Sequence, residues 1–241
     1  MNILCIIPAR YSSTRLPGKP LADIAGKPMI QHVYERAIAA KRPSQVIVAT
    51  DHALVYETVE KFGGQVILTS PDHLTGTDRL AEVADRFPDV DLIINVQGDE
   101  PLVPPAIIDQ LAGAFDGQPD LQMATLMTEM DESEYNTPSA VKVVTDLQGY
   151  ALYFSRSMIP FPRHSAGLPV YKHIGIYAYR RDFLLKYAKL SPTPLEETES
   201  LEQLRALEHG YRIKVLTTDF KSIGVDTMED LEKVNLLFKN N

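Results

Sequence analysis

A short loop after the first apolar run carries three cationic side chains and no acidic one. Arg10, Arg15 and Lys19 lie within residues 8–20, and the first acidic residue of the chain is Asp23. Arginine forks and backbone N–H groups beyond a strand end suit a polyphosphate. The loop therefore predicts a triphosphate site, although a solvated basic loop has the same composition.

This loop does not match the two best-known phosphate-binding sequences. A P-loop needs a glycine where this chain has Ser13 and a serine or threonine where it has Pro20. The G-x-G-x-x-G fingerprint of dinucleotide-binding folds is also absent after Ile7. Neither a P-loop enzyme nor a Rossmann dehydrogenase is supported.

A second candidate is the carboxylate pair that follows the apolar run Leu92–Val96. Gln97, Gly98, Asp99 and Glu100 come directly after it. Because Mg²⁺ binds one or two carboxylates together with phosphate oxygens, an aspartate here facing the basic loop suits a metal–triphosphate complex. The alternative is an ordinary turn residue.

A partner carboxylate is available near the C-terminus. Asp226 ends the short run Ile223–Val225 just before a predicted helix, where Asp226 or Thr227 could equally be a helix cap. Residues 73–79 place small polar side chains, including Thr75, at another predicted helix start. Such a position can meet a ribose, a base edge or a phosphate.

Residues 150–189 form a second basic region with one acid, Asp182. Its cations are Arg156, Arg163, Lys172, Arg180, Arg181, Lys186 and Lys189. Because the first loop already accounts for a nucleotide, this region favours a second anion such as a sugar carboxylate. A dimer surface or a solvated face is the alternative.

The elements that must position these residues alternate between strands and helices in the first half. Apolar runs predict strands at 3–7, 46–49, 66–68 and 92–96, and helical spacing predicts helices at 29–40, 53–62 and 77–87. This alternation indicates an α/β fold with a mostly parallel sheet. Four further strands, at 123–128, 141–145, 151–155 and 174–179, predict an inserted, partly antiparallel lobe, and capping boxes at Thr193 and Thr227 predict later helices.

Bulk properties exclude several classes of protein. The 241 residues carry a formal charge of −8, which disfavours binding to nucleic acid. The single cysteine, Cys5, lies in an apolar run and predicts a buried reduced thiol. No basic segment precedes the first apolar run, and no run approaches the roughly 20 residues of a membrane span. We expect a cytoplasmic protein that is neither secreted nor membrane-inserted.

Taken together, separate motifs resemble those of CMP-Kdo synthetases, where Kdo is 3-deoxy-manno-octulosonate. The similarity covers nearly the whole chain. The motifs are residues 8–21, 73–79, 97–101, 154–156, 173–177, 201–205 and 224–227. The resemblance implies a three-layer nucleotide-diphospho-sugar transferase fold of one domain, residues 1–241, with a smaller dimerisation and sugar-binding lobe at about 125–190.

The resemblance also implies roles for individual residues. Arg10, Lys19, Asp99 and Asp226 would be catalytic, with Asp99 and Asp226 ligating Mg²⁺. The nucleotide would be bound by Arg10, Ser13, Arg15, Lys19, Thr75, Arg79 and Gln97. The sugar would be bound by Arg156, His173, Glu202 and Gln203.

The implied reaction transfers CMP from CTP to Kdo with loss of pyrophosphate, for lipopolysaccharide synthesis by a cytoplasmic homodimer. The acceptor could instead be 8-amino-Kdo or another ulosonic acid. A glycosyltransferase of related fold is a further alternative. Such enzymes usually carry a D-x-D metal motif after a strand, whereas Asp89-Val90-Asp91 comes before the predicted strand at 92–96. A nucleotide sensor without turnover is an alternative from a different class.

Overall fold

A computed structural model describes residues 1–13, 15–164 and 167–239, so Thr14 of the basic loop lies outside the described residues. The strands of these residues are β1 (Ile3–Ala9), β2 (Asp23–Ile24), β3 (Lys27–Pro28), β4 (Gln45–Thr50), β5 (Val66–Leu68), β6 (Leu92–Asn95), β7 (Met123–Glu129), β8 (Lys142–Thr145), β9 (Ala151–Ser155), β10 (Tyr171–Arg180) and β11 (Ile213–Thr217). Their helices are α1 (Met29–Ile38), α2 (Ala53–Lys61), α3 (Gly76–Asp85), α4 (Pro105–Gly113), α5 (Arg181–Tyr187), α6 (Pro194–Glu199), α7 (Gln203–Glu208) and α8 (Met228–Lys239). Within the described part of the chain, none of these helices has the length and hydropathy that crossing a bilayer requires.

The central sheet places its strands in the order β11, β7, β10, β6, β1, β4 and β5. β1 pairs in parallel with both β4 and β6, and the pairs β4–β5 and β7–β11 are also parallel. β10 runs antiparallel between β6 and β7. The predicted α/β class with a mostly parallel sheet is confirmed.

Helices cover both faces of this sheet because β1 is apolar on both sides. Ile3, Cys5 and Ile7 pack in one core with side chains of α1, α2 and α4. Leu4 and Ile6 point the other way and pack in a second core with α3 and α5. Each fully buried aliphatic side chain stabilises the fold by about 1.5–3 kcal/mol. The predicted three layers are confirmed.

Cys5 lies in the middle of β1 with its side chain fully buried. The thiol is free, and burial raises its pKa to about 12. A thiolate at this position would be an uncompensated charge in an apolar core. The prediction of a buried reduced thiol is confirmed.

The strands and helices predicted in the first half are present, with ends that differ by at most two residues. The four predicted strands of the second half are present as β7 to β10. The sequence patterns did not predict α4 or β11, which complete one helical layer and one edge of the sheet.

Strands β8 and β9 extend the sheet at the beginning of β10. β8 and β9 form an antiparallel hairpin, and β8 also pairs with Tyr171 and Lys172 of β10. Met130, Ala140 and Val170 form a small apolar cluster of their own. Because β7 and β10 also belong to the central sheet, an inserted lobe at about 125–190 stays a prediction.

A third apolar cluster joins the basic loop to the last helix. Leu16 of the loop, Ile24 and Met29 pack against Val225 and Leu231. Val225 directly precedes Asp226, and Leu231 lies in α8. Buried contacts therefore hold two distant chain segments on the same side of the molecule.

Candidate active site

A cavity of about 420 Å³ opens where β1 and β6 end. These strands are parallel neighbours, with Ile6 beside Asn95, so the loops that follow them leave the sheet at one edge. The basic loop follows β1, and the segment that contains Asp99 follows β6. The cavity is lined by Pro8, Ala9, Arg10, Ser12, Ser13, Arg15, Lys19, Pro20, Gly76, Gln97, Gly98, Asp99 and Asp226.

Gly98 permits the close approach of the two loops. A Cβ atom at this position would lie 2.7 Å from the carbonyl oxygen of Pro8. That oxygen belongs to the backbone of β1 and has little freedom to move. Only glycine therefore allows the segment after β6 to lie against the end of β1 and bring Asp99 to the basic loop.

The ammonium group of Lys19 lies between the two predicted metal ligands. Its Nζ donates to Asp99 Oδ2 at 2.5 Å and to Asp226 Oδ1 at 3.0 Å. Burial alone lowers the pKa of Lys19, but the two carboxylates outweigh it and raise that pKa above its ordinary value. The structure therefore brings Lys19, Asp99 and Asp226 together, with the lysine charged.

Two hydrogen bonds attach the segment that carries Asp226 to the segment that carries Asp99. The backbone N–H of Val225 donates to the carbonyl of Asp99 at 2.9 Å. The hydroxyl of Ser222 donates to Oε1 of Glu100, whose carboxyl is buried. Burial raises the pKa of Glu100 to about 7, in spite of the hydrogen bond from Ser222, and the Asp99 charge adds to the effect.

Of the predicted nucleotide ligands, Arg10, Ser13, Arg15 and Gln97 also line this cavity. Nη2 of Arg10 is buried and has no hydrogen-bond partner among the described residues, so it is available to a ligand. Arg15 is more exposed and forms an ion pair with Asp226 at 3.0 Å. Ser13 accepts a hydrogen bond from the backbone N–H of Leu16 at 3.2 Å, which tightens the loop.

Thr75 and Arg79 have structural contacts instead of facing this cavity. Thr75 caps α3 in a capping box with Asp78. Arg79 is fully buried and pairs with Asp51 at 2.8 Å, and burial lowers its pKa despite that carboxylate. Asp51 also lies 3.5 Å from the backbone nitrogen of Tyr11. Arg79 therefore connects to the basic loop through Asp51.

The residues present fit a magnesium ion. Asp99 and Asp226 converge on one cationic nitrogen and offer carboxylate oxygens, which Mg²⁺ prefers. Among residues 1–13, 15–164 and 167–239, no group of three or more His, Cys, Asp or Glu is suited to hold a metal. Two carboxylates beside a triphosphate are the expected donor set for Mg²⁺, because phosphate oxygens and water supply the rest.

A smaller cavity of about 160 Å³ shares Gly76 and Gln97 with the first one. Two of the predicted sugar ligands, Glu202 and Gln203, line it. Its other lining residues are Thr77, Asn95, Met123, Tyr177, Tyr179 and Tyr187. The Thr77 hydroxyl donates to Oε2 of Glu202 at 2.9 Å, while Oε1 is buried without a partner in the described residues. Burial raises the pKa of Glu202 in spite of the Thr77 hydrogen bond.

The other two predicted sugar ligands do not line this cavity. His173 lies 3.0 Å from the hydroxyl of Thr125, and its ring packs against Tyr177 with centroids 5.4 Å apart. Burial lowers the pKa of His173 to about 3, so the ring is neutral. Arg156 donates to backbone carbonyl groups, including that of Glu199 at 2.7 Å.

The sequence predictions missed several residues of this region. Asn95, Tyr179 and Tyr187 line the smaller cavity, and Ser222 connects the two aspartate-bearing segments through Glu100, which was named beside Asp99 in the sequence without being given a role. Asn95 had a visible signal, because it is the one polar residue in the run Leu92–Val96. The tyrosines gave none, since aromatic residues on a strand and a helix are usually core.

Comparisons with known proteins agree with this arrangement. The family model of cytidylyltransferases matches residues 4–215. The chain is 56% identical over 246 residues to 3-deoxy-manno-octulosonate cytidylyltransferase of Geobacter sulfurreducens, which covers 97% of this chain and 98% of that protein. The protein of the same name from Trichlorobacter lovleyi is 55% identical over 245 residues, 97% of each chain.

A solved structure of CMP:2-keto-3-deoxy-manno-octonic acid synthetase complexed with CTP matches with a TM-score of 0.96 and 47% identity. The match covers 100% of this chain and 99% of that one. The predicted family resemblance and the predicted nucleotidyltransferase fold are confirmed. The chain belongs to the 3-deoxy-manno-octulosonate cytidylyltransferase family.

Proposed function

We propose that this protein transfers CMP from CTP to Kdo, forming CMP-Kdo and pyrophosphate for lipopolysaccharide synthesis. The observation that carries the proposal is the convergence of Lys19, Asp99 and Asp226 in the 420 Å³ cavity beside two arginines. A triphosphate needs such a combination of cationic side chains and metal-binding carboxylates. The names of the relatives supply the identities of the nucleotide and the sugar.

In the proposed complex, Arg10, Arg15 and Lys19 hold the CTP phosphates. Nη2 of Arg10 has no partner among the described residues, and the exposed Arg15 can exchange Asp226 for a phosphate oxygen. Ser13, Thr75 and Gln97 are proposed to lie near the nucleotide. Arg79 supports the same loop through Asp51, at the 2.8 Å distance given above.

Asp99 and Asp226 would hold Mg²⁺, which would supply positive charge to the phosphates of CTP when bound. The oxygen of the sugar's anomeric hydroxyl forms a bond to the α-phosphorus as its proton passes to solvent water, and the bond from that phosphorus to the pyrophosphate oxygen breaks in line with it. Lys19 and Arg10 offset the charge that develops on the departing pyrophosphate. The chain therefore acts mainly by positioning the reactants and neutralising charge, with no covalent intermediate.

The smaller cavity is proposed to bind the acceptor sugar. Glu202 can accept hydrogen bonds from sugar hydroxyls through Oε1, which has no partner in the described part of the chain. Gln203 and Gln97 add amide donors and acceptors on the same walls. Because the two cavities share Gln97 and Gly76, an acceptor in the smaller one lies next to a nucleotide in the larger one.

We further propose a cytoplasmic homodimer that uses the lobe as its interface. An apolar groove of about 790 Å³ is lined in part by Met158, Pro160 and Val170 and includes the exposed Phe161 and Leu168. Exposed apolar patches of this kind mark interaction surfaces. Light scattering after size-exclusion chromatography tests the proposal, and a monomer at micromolar concentration would contradict it.

A matrix of substrates tests the reaction itself. Each of the four nucleoside triphosphates is combined with Kdo, 8-amino-Kdo, a second ulosonic acid and a neutral sugar phosphate, in the presence of Mg²⁺, and pyrophosphate is measured. We expect release with CTP and Kdo. Activity only with neutral sugar phosphates would overturn the acceptor class.

The same measurement separates the alternatives. A glycosyltransferase would consume a nucleotide sugar and release a nucleoside diphosphate. A sensor would bind CTP in calorimetry and release no pyrophosphate with any acceptor. Reactions without sugar are the control for background hydrolysis of CTP.

A further inference from the structure

Arg156, at the end of the β8–β9 hairpin, binds the turn between α6 and α7. Its Nε donates to the carbonyl of Glu199 at 2.7 Å, and its Nη2 donates to the carbonyl of Ser200 at 3.1 Å. Its Nη1 donates to the carbonyl of Pro138 at 3.1 Å. The guanidinium fork therefore holds three backbone carbonyl groups from two parts of the chain.

The Glu199 side chain in turn binds residues at the end of the hairpin. One of its carboxylate oxygens accepts from the Ser155 hydroxyl at 2.6 Å, and the other accepts from the backbone N–H of Arg156 at 3.0 Å. Each segment thus supplies a charged side chain that binds the backbone of the other. Hydrogen bonds to charged groups are among the stronger ones in proteins.

The turn needs such support because its backbone is strained. Ser200 has φ +51°, in the left-handed region that residues other than glycine rarely adopt. This conformation costs about 1–2 kcal/mol and persists only where surrounding contacts hold it. The hydrogen bonds from Arg156 to the consecutive carbonyl groups of Glu199 and Ser200 provide such contacts.

The turn leads directly into the wall of the smaller cavity. Glu202 and Gln203 lie two and three residues after Ser200, and the carbonyl of Glu202 accepts from the Tyr187 hydroxyl at 2.6 Å. A shift of the backbone at Ser200 would therefore be passed on to Glu202 and Gln203. Among the residues that the structure describes, the hydrogen bonds of Arg156 and Glu199 involve none that lines the larger cavity.

The hairpin end of the clamp is itself fixed by a buried lysine. Nζ of Lys142 donates to the carbonyl of Arg156 at 3.1 Å and to that of Thr137 at 2.8 Å. Lys142 is fully buried, so these acceptors compensate for the removal of its charge from water. Lys142 therefore fixes the backbone of Arg156 at the end of the hairpin.

We propose that Arg156 and Glu199 are positioning residues that clamp the Ser200 turn and thereby shape the acceptor cavity from the hairpin. This inference rests on the proposed function, because it takes the smaller cavity as the sugar site. It gives Arg156 a different role from that of a sugar ligand. The hairpin consequently controls acceptor binding through backbone contacts.

Steady-state kinetics of Arg156→Lys and Glu199→Gln test the clamp. Lysine cannot reach three carbonyls at once, and glutamine cannot accept with both terminal atoms. We expect each change to raise the KM for Kdo about tenfold and to leave the KM for CTP within about twofold. The double variant should be no worse than the worse single variant, because both act on one turn.

The Glu199→Gln variant separates positioning from direct binding. If Arg156 contacts the sugar itself, Glu199→Gln leaves the KM for Kdo unchanged while Arg156→Lys raises it, and that result overturns the clamp. Ser155→Ala, which removes one hydrogen bond to Glu199, is a milder variant in case the others fold poorly, with an expected effect of about threefold. Arg212→Lys on the exposed surface is the matched control and should change neither KM.

Hydrogen–deuterium exchange gives a readout that does not depend on turnover. Amides 200–203 should exchange about tenfold faster in Arg156→Lys and Glu199→Gln, with β1 unchanged. Unchanged exchange at the turn would overturn the clamp even if activity falls. If the wild-type protein releases no pyrophosphate with Kdo, the proposed function fails, whereas the exchange result still decides whether the clamp exists.

Discussion

Nζ of Lys19 lies 3.0 Å from Oδ1 of Asp226, although the two residues are 207 positions apart in the sequence. Three chain segments meet at the larger cavity: the loop after β1, the segment after β6, and the residues before α8. The contact between Lys19 and Asp226 joins the first of them to the last. None of these segments alone has the composition of an active site. Their meeting creates one because the apolar cluster around Leu16 and Val225 joins the first to the last.

Asp99→Asn should lower turnover about 10²- to 10³-fold, because it removes one of the two carboxylates proposed to hold the cation beside the reacting phosphate. Lys19 keeps its ion pair with Asp226 at 3.0 Å, so the loss of its contact with Asp99 should cost only about 1 kcal/mol of stability. Pyrophosphate release at limiting Mg²⁺ and urea unfolding measure the two effects. Asp182→Asn on the surface is the control, and wild-type turnover in Asp99→Asn would remove Asp99 from the mechanism.

Ser222→Ala should raise the metal concentration for half-maximal activity about tenfold, since it frees the segment that carries Asp226 from Glu100. Direct binding of Mn²⁺, followed by electron paramagnetic resonance, should weaken in parallel. The exposed Ser191→Ala is the matched control. Equal Mn²⁺ affinity in both variants would show that the Ser222 contact does not position Asp226.

Gly98→Ala should destabilise the protein by about 1–3 kcal/mol and abolish most activity. The added Cβ would meet the Pro8 carbonyl at 2.7 Å and force the loops apart. Chemical unfolding and pyrophosphate release measure both effects. Gly113→Ala in α4 is the control, because its nearest neighbour is the flexible end of Arg42 and alanine favours a helix. Full activity in Gly98→Ala would contradict the close approach.

Glu100→Gln should change how stability depends on pH. The pKa of Glu100 is raised to about 7 in the folded protein, against 4.5 for an ordinary glutamate. The folded state therefore binds the proton more tightly, and the resulting stability is complete below about pH 4.5 and is lost as pH rises through about 7. The total is about 3 kcal/mol.

Urea unfolding in metal-free buffer between pH 4.5 and 8 measures this dependence. The glutamine variant, which cannot ionise, should lose less stability over this range than the wild-type protein. An identical decline in both proteins would show that Glu100 ionises in the folded state as readily as in the unfolded chain.

The spacing of apolar residues predicted the α/β layers because each early strand is a short apolar run and an amphipathic helix separates it from the next strand. The sequence pattern did not predict β11 because Lys214 interrupts its apolar residues and Thr217 ends them. Polar residues of this kind are expected in a strand at the edge of the sheet. Its neighbour β7, which is buried at nearly every position, gave a clear signal.

The roles of individual arginines were harder to predict than the fold. Arg10, Arg79 and Arg156 all lie in motifs of the family, and the sequence gives no sign of which ones are used internally. The structure leaves Nη2 of Arg10 without a partner among the described residues, pairs Arg79 with Asp51, and turns Arg156 toward backbone carbonyls. Such differences depend on which carbonyl or carboxylate the fold brings near each guanidinium, and that follows from tertiary contacts alone.

The full burial of Cys5 has a practical consequence for experiments on this enzyme. A thiol with a pKa near 12 reacts negligibly with maleimides at neutral pH. A cysteine introduced at an exposed position such as Leu147 would therefore take up a fluorophore or spin label at that place alone. Motions of the hairpin could then be followed in the otherwise native chain without first replacing a residue of β1.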